Sequence, residues 1–214
     1  MAMANICSVL PSADSYREMR GAVPGKDRLV KVIETDLPGC LILEPQVFAD
    51  ERGFFYESFN HDKLAAHGLR PAFVQGNVSS STRGVLRGLH YQWPNPQGKY
   101  VSVLEGEVWD VAVDIRRGSP TFGRWTAALL SADNKRHFWV PEGFAHGFVT
   151  LSEHALFAYL CTATYDREAD AGIRWDDASL AIDWPVSEPL LSPKDAKAPF
   201  LEDIAAERLP VFQV

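Results

Sequence analysis

The stretch KYVSVLEGEVWDVAVDIR, residues 99–116, decides the fold class. Trp109, Val111, Val113 and Ile115 fall on one parity, while Val108, Asp110, Ala112 and Asp114 fall on the other. That is the period of two of a β-strand, with one apolar face and one mixed face. Gly106, flanked by Glu105 and Glu107, separates this strand from KYVSVL. The break reads as a compact hairpin of the kind common in jelly rolls.

The same pattern extends in both directions. CLILEPQVF, GFFYESF, AFVQGNVS and GVLRGLHY precede the stretch, and RWTAALL, HFWVP, HGFVTL and HALFAYLCTATY follow it. Short runs rich in Val, Ile, Phe, Tyr and Trp, broken by turn residues every 8 to 12 positions or so, are the signature of a sandwich or barrel. Before the C-terminus only HDKLAAHGL reads as a helix, stopped at Gly68. The expected fold class is therefore all-β, a jelly-roll barrel with a few short helices. Residues 1–30 mix Ser, Asp, Arg, Gly and Pro without periodicity and read as an N-terminal extension, leaving 31–214 as the domain.

Composition bounds the function. A chain of 214 residues with 46% hydrophobic and 23% charged residues suits one globular domain. A net charge of −7 gives no electrostatic footprint for nucleic acid or an anionic membrane, so an anionic ligand requires a local basic patch. No apolar run approaches the roughly 20 residues that span a bilayer. The start MAMANICSVLPSADSYREMRG lacks a signal-peptide pattern, and the expected location is cytoplasmic. Cys7, Cys40 and Cys161 are odd in number and far apart, which indicates neither a disulfide framework nor a zinc site.

A barrel of this kind can enclose a ligand cavity, so inward polar residues become the candidates for chemistry. Gln75, Asn77 and Ser79 share one face of their strand, which is either solvent-exposed, the ordinary reading for an isolated strand, or cavity-lining. In VLRGLHYQ, His90 and Gln92 lie on one parity and Arg87 on the other, so Arg87 and His90 can both point inward only if Gly88 marks a bulge or twist. From composition alone His90 reads as a packing residue, and a role as base requires a carboxylate partner. Asp195 is one possibility that spacing cannot bring to it. Lys99 opens a strand after a turn, where a solvated lysine is the ordinary reading. Tyr159 shares parity with Phe157, Cys161 and Tyr165, and PEGFAH fixes a tight strand entry just before His146.

ILEPQVFADERGFFYESFN, VLRGLHYQ, QGKYVSVLEGEVWDVAVDIRRGSPTFGRW, VPEGFAHGF, YLCTATY and LSPKDAKAP, in this order, resemble the dTDP-4-dehydrorhamnose 3,5-epimerases of the cupin superfamily. The resemblance runs from about Val32 to Pro199 and is specific, because six separated motifs agree in order and spacing. AHGLRPAF and WPNPQ depart from the pattern. It implies a homodimeric double-stranded β-helix acting on a dTDP-4-keto-6-deoxyhexose with no metal or cofactor. It implies His90 as base, Asp195 as its orienting partner, Lys99 as the cation at the enolate oxygen and Tyr159 as the acid on the far side. Nucleotide and phosphate contacts carry over to Arg52, Glu57, Gln75, Asn77, Arg87 and Lys194, with Tyr165 as a stacking ring. His146 stands open between sugar contact and pocket support.

Three alternatives stand beside this reading. A metal-dependent cupin needs an HxH pair, but Gly88 and Gln92 occupy the positions two before and two after His90. A non-catalytic sugar-nucleotide-binding module would have lost the base or acid, which are present. A mono-epimerase acting at C3 or C5 alone differs by placement that sequence does not encode.

Overall fold

The computed structural model describes residues 30–69 and 71–213. The proposed extension over 1–30 lies, apart from Val30, outside the described residues. Two antiparallel sheets face each other. The first orders its strands β1 (Val30–Glu34), β2 (Leu41–Pro45), β10 (His137–Val140), β7 (Lys99–Glu105), β12 (His154–Cys161) and β5 (Gln75–Thr82). The second orders β13 (Asp170–Gly172), β6 (Leu86–Gln92), β11 (Phe144–Thr150), β8 (Glu107–Asp114) and β9 (Trp125–Ser131). A separate hairpin joins β3 (Val47–Asp50) to β4 (Gly53–Tyr56). This is the expected all-β jelly roll.

The one α-helix among the described residues, α1 (His61–Ala66), is the segment expected from HDKLAAHGL. The Asn60 side chain caps it by accepting from the Lys63 amide, and Gly68 follows at φ +80°. Leu64 of this helix packs with Leu43, Tyr100 and Trp139 on the outer face of the six-stranded sheet.

The expected hairpin at Gly106 is corrected by the pairing. β7 bonds to β10 and β12, whereas β8 bonds to β9 and β11 in the opposite sheet. The chain therefore turns a corner between sheets. Gly106 sits at φ +76°, and a Cβ there would overlap the His154 carbonyl oxygen, so the corner requires glycine.

The inner core holds Val101, Val103, Val108, Ala112, Phe138, Phe148 and Phe157, drawn from both sheets. The mixed face of β8 is thus the one turned inward. Its apolar face, with Val111 and Val113, packs outward against Ile173, Leu180, Trp184, Leu201 and Leu209 of the C-terminal segment. That segment buries the back of the five-stranded sheet, and Asp110 and Asp114 end fully buried between the sheets or at their rim. Asp114 is satisfied by Arg116, Ser119 and Thr121.

Candidate active site

Between the sheets lies a cavity of about 160 Å³, lined by Ser79, Arg87, His90, Lys99, His146, Phe148, Phe157 and Tyr159. β6 and β11 supply one wall and β5, β7 and β12 the other. The pairing explains how Arg87 and His90 share it. His146 pairs with His90 and Phe148 with Arg87, so two residues of β6 stand opposite one of β11. This is the expected bulge at Gly88. Gly88 holds φ +127°, and a Cβ there would stand 2.6 Å from the Gly147 Cα.

His90 Nε2 lies 2.6 Å from Asp195 Oδ1. Asp195 opens a 3₁₀ turn (Asp195–Lys197) of the C-terminal segment and is buried, whereas His90 keeps 34% of its side chain exposed toward the cavity and the groove outside it. Burial works to raise the Asp195 pKa, but hydrogen bonds from His90, Ser192 and the Gly88 backbone outweigh it and hold the carboxyl below its ordinary range. An ionised carboxylate fixed on one ring nitrogen orients the imidazole and leaves the other nitrogen free to take a proton.

The opposite wall follows strand register. Tyr159 pairs with Asn77, Phe157 with Ser79, and Cys161 with both Gln75 and Lys99, so all these side chains share the inner face. Burial raises the Tyr159 pKa, which keeps its phenol protonated and able to donate. Burial lowers the Lys99 pKa, opposed by its neighbours Cys161, Asp110 and Asp170. Lys99 is one of the cations lining the cavity, and a desolvated ammonium interacts strongly with charge that develops beside it.

His146 Nε2 lies 2.8 Å from Asp110 Oδ1, both buried. Burial lowers the His146 pKa and raises that of Asp110. This second His–Asp pair braces the cavity floor and leaves only Nδ1 of His146 for a ligand. Asp110 was not among the sequence candidates. Its parity with Val108 and Ala112 was the available signal, once that face of β8 is known to be the inner one.

Beyond His90 the cavity meets a groove of about 330 Å³ bordered by Arg87, Ser192, Lys194 and Asp195. Arg87 is tethered to β5, donating from Nε to Ser81 Oγ at 3.0 Å and from Nη2 to the Ser80 carbonyl at 3.1 Å. Lys194 and the Tyr165 hydroxyl both donate to Asp170 Oδ2. The Tyr165 amide donates to Gln75 Oε1 at 2.7 Å, and Gln75 Nε2 donates to Asn77 Oδ1 at 3.0 Å. One rim thus joins Gln75, Asn77, Tyr165 and Lys194. Arg52 and Glu57 are not brought to this cavity. Arg52 is exposed beside the β3–β4 turn and paired with Asp50, and Glu57 accepts from Lys63 at 2.6 Å.

Among the described residues no three His, Cys, Asp or Glu side chains converge as a metal-ligand set, and no helix is long and apolar enough to cross a membrane. A family model described as dTDP-4-dehydrorhamnose 3,5-epimerase matches residues 34–203. The dTDP-4-dehydrorhamnose 3,5-epimerase of Shigella flexneri is 56% identical over 168 residues, covering 78% of this chain and 93% of that protein. The crystal structure of dTDP-6-deoxy-D-glucose-3,5-epimerase from Legionella pneumophila in complex with dTDP-4-keto-L-rhamnose is 55% identical with a TM-score of 0.84, covering 86% of this chain and all of that one (100%). A 3'-monoepimerase from Streptomyces bikiniensis in complex with dTDP-quinovose is 37% identical with a TM-score of 0.77, covering 83% and 91% of the two chains.

Proposed function

The chain belongs to the dTDP-4-dehydrorhamnose 3,5-epimerase family and is an isomerase of that type, and we propose that it inverts both C3 and C5 of dTDP-4-keto-6-deoxyglucose through enolate intermediates. The observation that carries this reading is the placement of His90, oriented by Asp195, and Tyr159 on opposite walls of one cavity. A ketone at C4 acidifies the protons on C3 and C5. His90 removes one, the Lys99 ammonium stabilises the oxygen that becomes negative, and Tyr159 returns a proton to the opposite face. Inversion follows from access to the two faces of one enolate by two different groups. Arg87 and Lys194 suit the diphosphate, since a guanidinium donates two parallel hydrogen bonds and an ammonium adds a point charge. They supply a local basic patch in a chain whose net charge is −7.

The assembly we propose is a homodimer. Phe48, Phe54 and Phe55 on the β3–β4 hairpin are 50%, 60% and 68% exposed, an apolar surface that a second copy would cover. Arg52 and Glu57 belong to the same projecting segment, so their nucleotide contacts are made across that interface. Light scattering of the purified protein reads the assembly directly, and a monomer would remove both statements.

The experiment that tests the reaction is proton NMR of dTDP-4-keto-6-deoxyglucose with the enzyme in D₂O. Deuterium entering at C3 and C5, with a coupled reductase then yielding dTDP-rhamnose, is the expected result. Exchange at one carbon alone identifies a mono-epimerase, and exchange at neither removes the proposed substrate.

A further inference from the structure

Asp110 is fully buried on the inner face of β8, and its two oxygens are unlike. Oδ1 lies 2.8 Å from His146 Nε2, whereas Oδ2 has no hydrogen-bond partner. A carboxylate withdrawn from water is costly unless a charge of opposite sign compensates it. His146 does not supply that charge, because burial lowers its pKa and favours the neutral ring. Lys99 can supply it. Two carboxylates act on Lys99, Asp110 and Asp170, and Asp170 is already paired with Lys194. Asp195, across the cavity, is paired with His90.

The titratable groups around Lys99 come from both sheets: Cys161 and Tyr159 of β12, Arg87 and His90 of β6, His146 of β11, Asp110 of β8, Asp170 of β13 and Lys194 of the C-terminal segment. Burial draws Lys99 toward the amine, and the charge of Lys194 adds to that, while Cys161, Asp110 and Asp170 oppose it. Cys161 opposes it only as a thiolate, and burial raises that thiol's pKa and keeps it protonated. Asp110 is therefore the carboxylate whose charge is free to hold the ammonium. The pair has one stable arrangement. A proton on both groups, or on neither, leaves a single charge in a dry interior. With one proton to share, an amine takes it from a carboxylate by about six pH units in water. A proton on Oδ2 of Asp110 would moreover find no acceptor there.

We propose that Asp110 is a positioning residue for the reaction, the buried counter-charge that keeps Lys99 an ammonium, and that it acts on the substrate only through Lys99 and His146. This rests on the reading of Lys99 as the cation at the enolate oxygen. The test is the titration of Lys99 itself, by NMR of the protein carrying ¹³C at the lysine Cε, with the Lys99 signal assigned by its loss in Lys99→Met. In wild type the signal at pH 7 is expected to be that of an ammonium; an amine at that pH overturns the proposal and needs no Asp110 variant to show it. Asp110→Asn keeps the size of the side chain and can still accept from His146. In that variant the Lys99 midpoint should fall by about one pH unit or more, the effect of removing one nearby opposite charge, and the alkaline limb of kcat/KM for deuterium entry should fall with it. A mere brace for His146 would lose activity without moving the midpoint, and that result overturns the proposal as well. Absence of exchange by wild type on dTDP-4-keto-6-deoxyglucose overturns the substrate reading and Asp110's part in that reaction. The titration uses no substrate, so it decides the pairing of Asp110 with Lys99 separately.

Discussion

Replacing Asp195 by Asn keeps the shape of the side chain and its capacity to accept from His90, but removes the charge. In the wild type the carboxylate sits 2.6 Å from His90 Nε2 and is 4% exposed, so the bond is charge-assisted and shielded from water. Bonds of that kind contribute about 1.5–3 kcal/mol to stability. The pH dependence has a definite sign. The folded-state pKa of Asp195 is held low, so its contribution is present above the unfolded value, near 4 for aspartate, and is lost as pH falls through the folded value. The variant should therefore be less stable than wild type by about 1.5–3 kcal/mol at pH 7, with the gap closing below about pH 4. Activity should fall further than stability. The amide can also present its NH₂ to the ring, favouring the wrong tautomer, and loss of an orienting carboxylate in an analogous dyad costs about 10⁴-fold. Urea unfolding at both pH values and deuterium wash-in at C3 and C5 are the assays. Exchange within tenfold of wild type, or a stability gap unchanged at low pH, would refute the view that an ionised Asp195 orients the base.

Tyr159→Phe should slow epimerisation more than deuterium entry on the His90 face, by about 10² or more; equal loss in both would make Tyr159 a binding residue. Lys99→Met keeps length and apolar bulk and removes the charge, and should lower kcat by about 10²- to 10³-fold with a smaller change in KM, as expected for a group acting on the enolate. A raised KM with unchanged kcat would place Lys99 in ground-state binding. Gly88→Ala forces a Cβ to within 2.6 Å of the Gly147 backbone at a positive φ, and should destabilise the fold by about 1–3 kcal/mol while displacing His90; wild-type thermal stability together with wild-type exchange would show that the bulge tolerates a side chain.

The strand pattern, the short helix and the bulge at Gly88 were legible in the residues, because each is a local consequence of side-chain parity or of backbone sterics. Parity put Gln75, Asn77 and Ser79 on one face of their strand, but exposure is the ordinary reading of such a face, and only the pairing with β12 shows that it turns inward with Tyr159. The meeting of His90 with Asp195 was not legible from spacing, since 105 residues separate them and a loop of that length encodes no distance. It entered the sequence reading only through the resemblance.

By itself, then, the sequence determined that the chain alternates as a β-protein and that Arg87 and His90 can share the interior only if Gly88 breaks β6 between them. Tertiary structure alone decided which face of β8 is the interior. Both faces are buried, one by the opposite sheet and one by the C-terminal segment, so alternation between an apolar and a mixed face could not say that the mixed face turns inward and carries Asp110 to His146. It also decided that Gly106 is a corner between sheets, because pairing partners are chosen by packing across the whole molecule while the local turn chemistry is the same for either outcome.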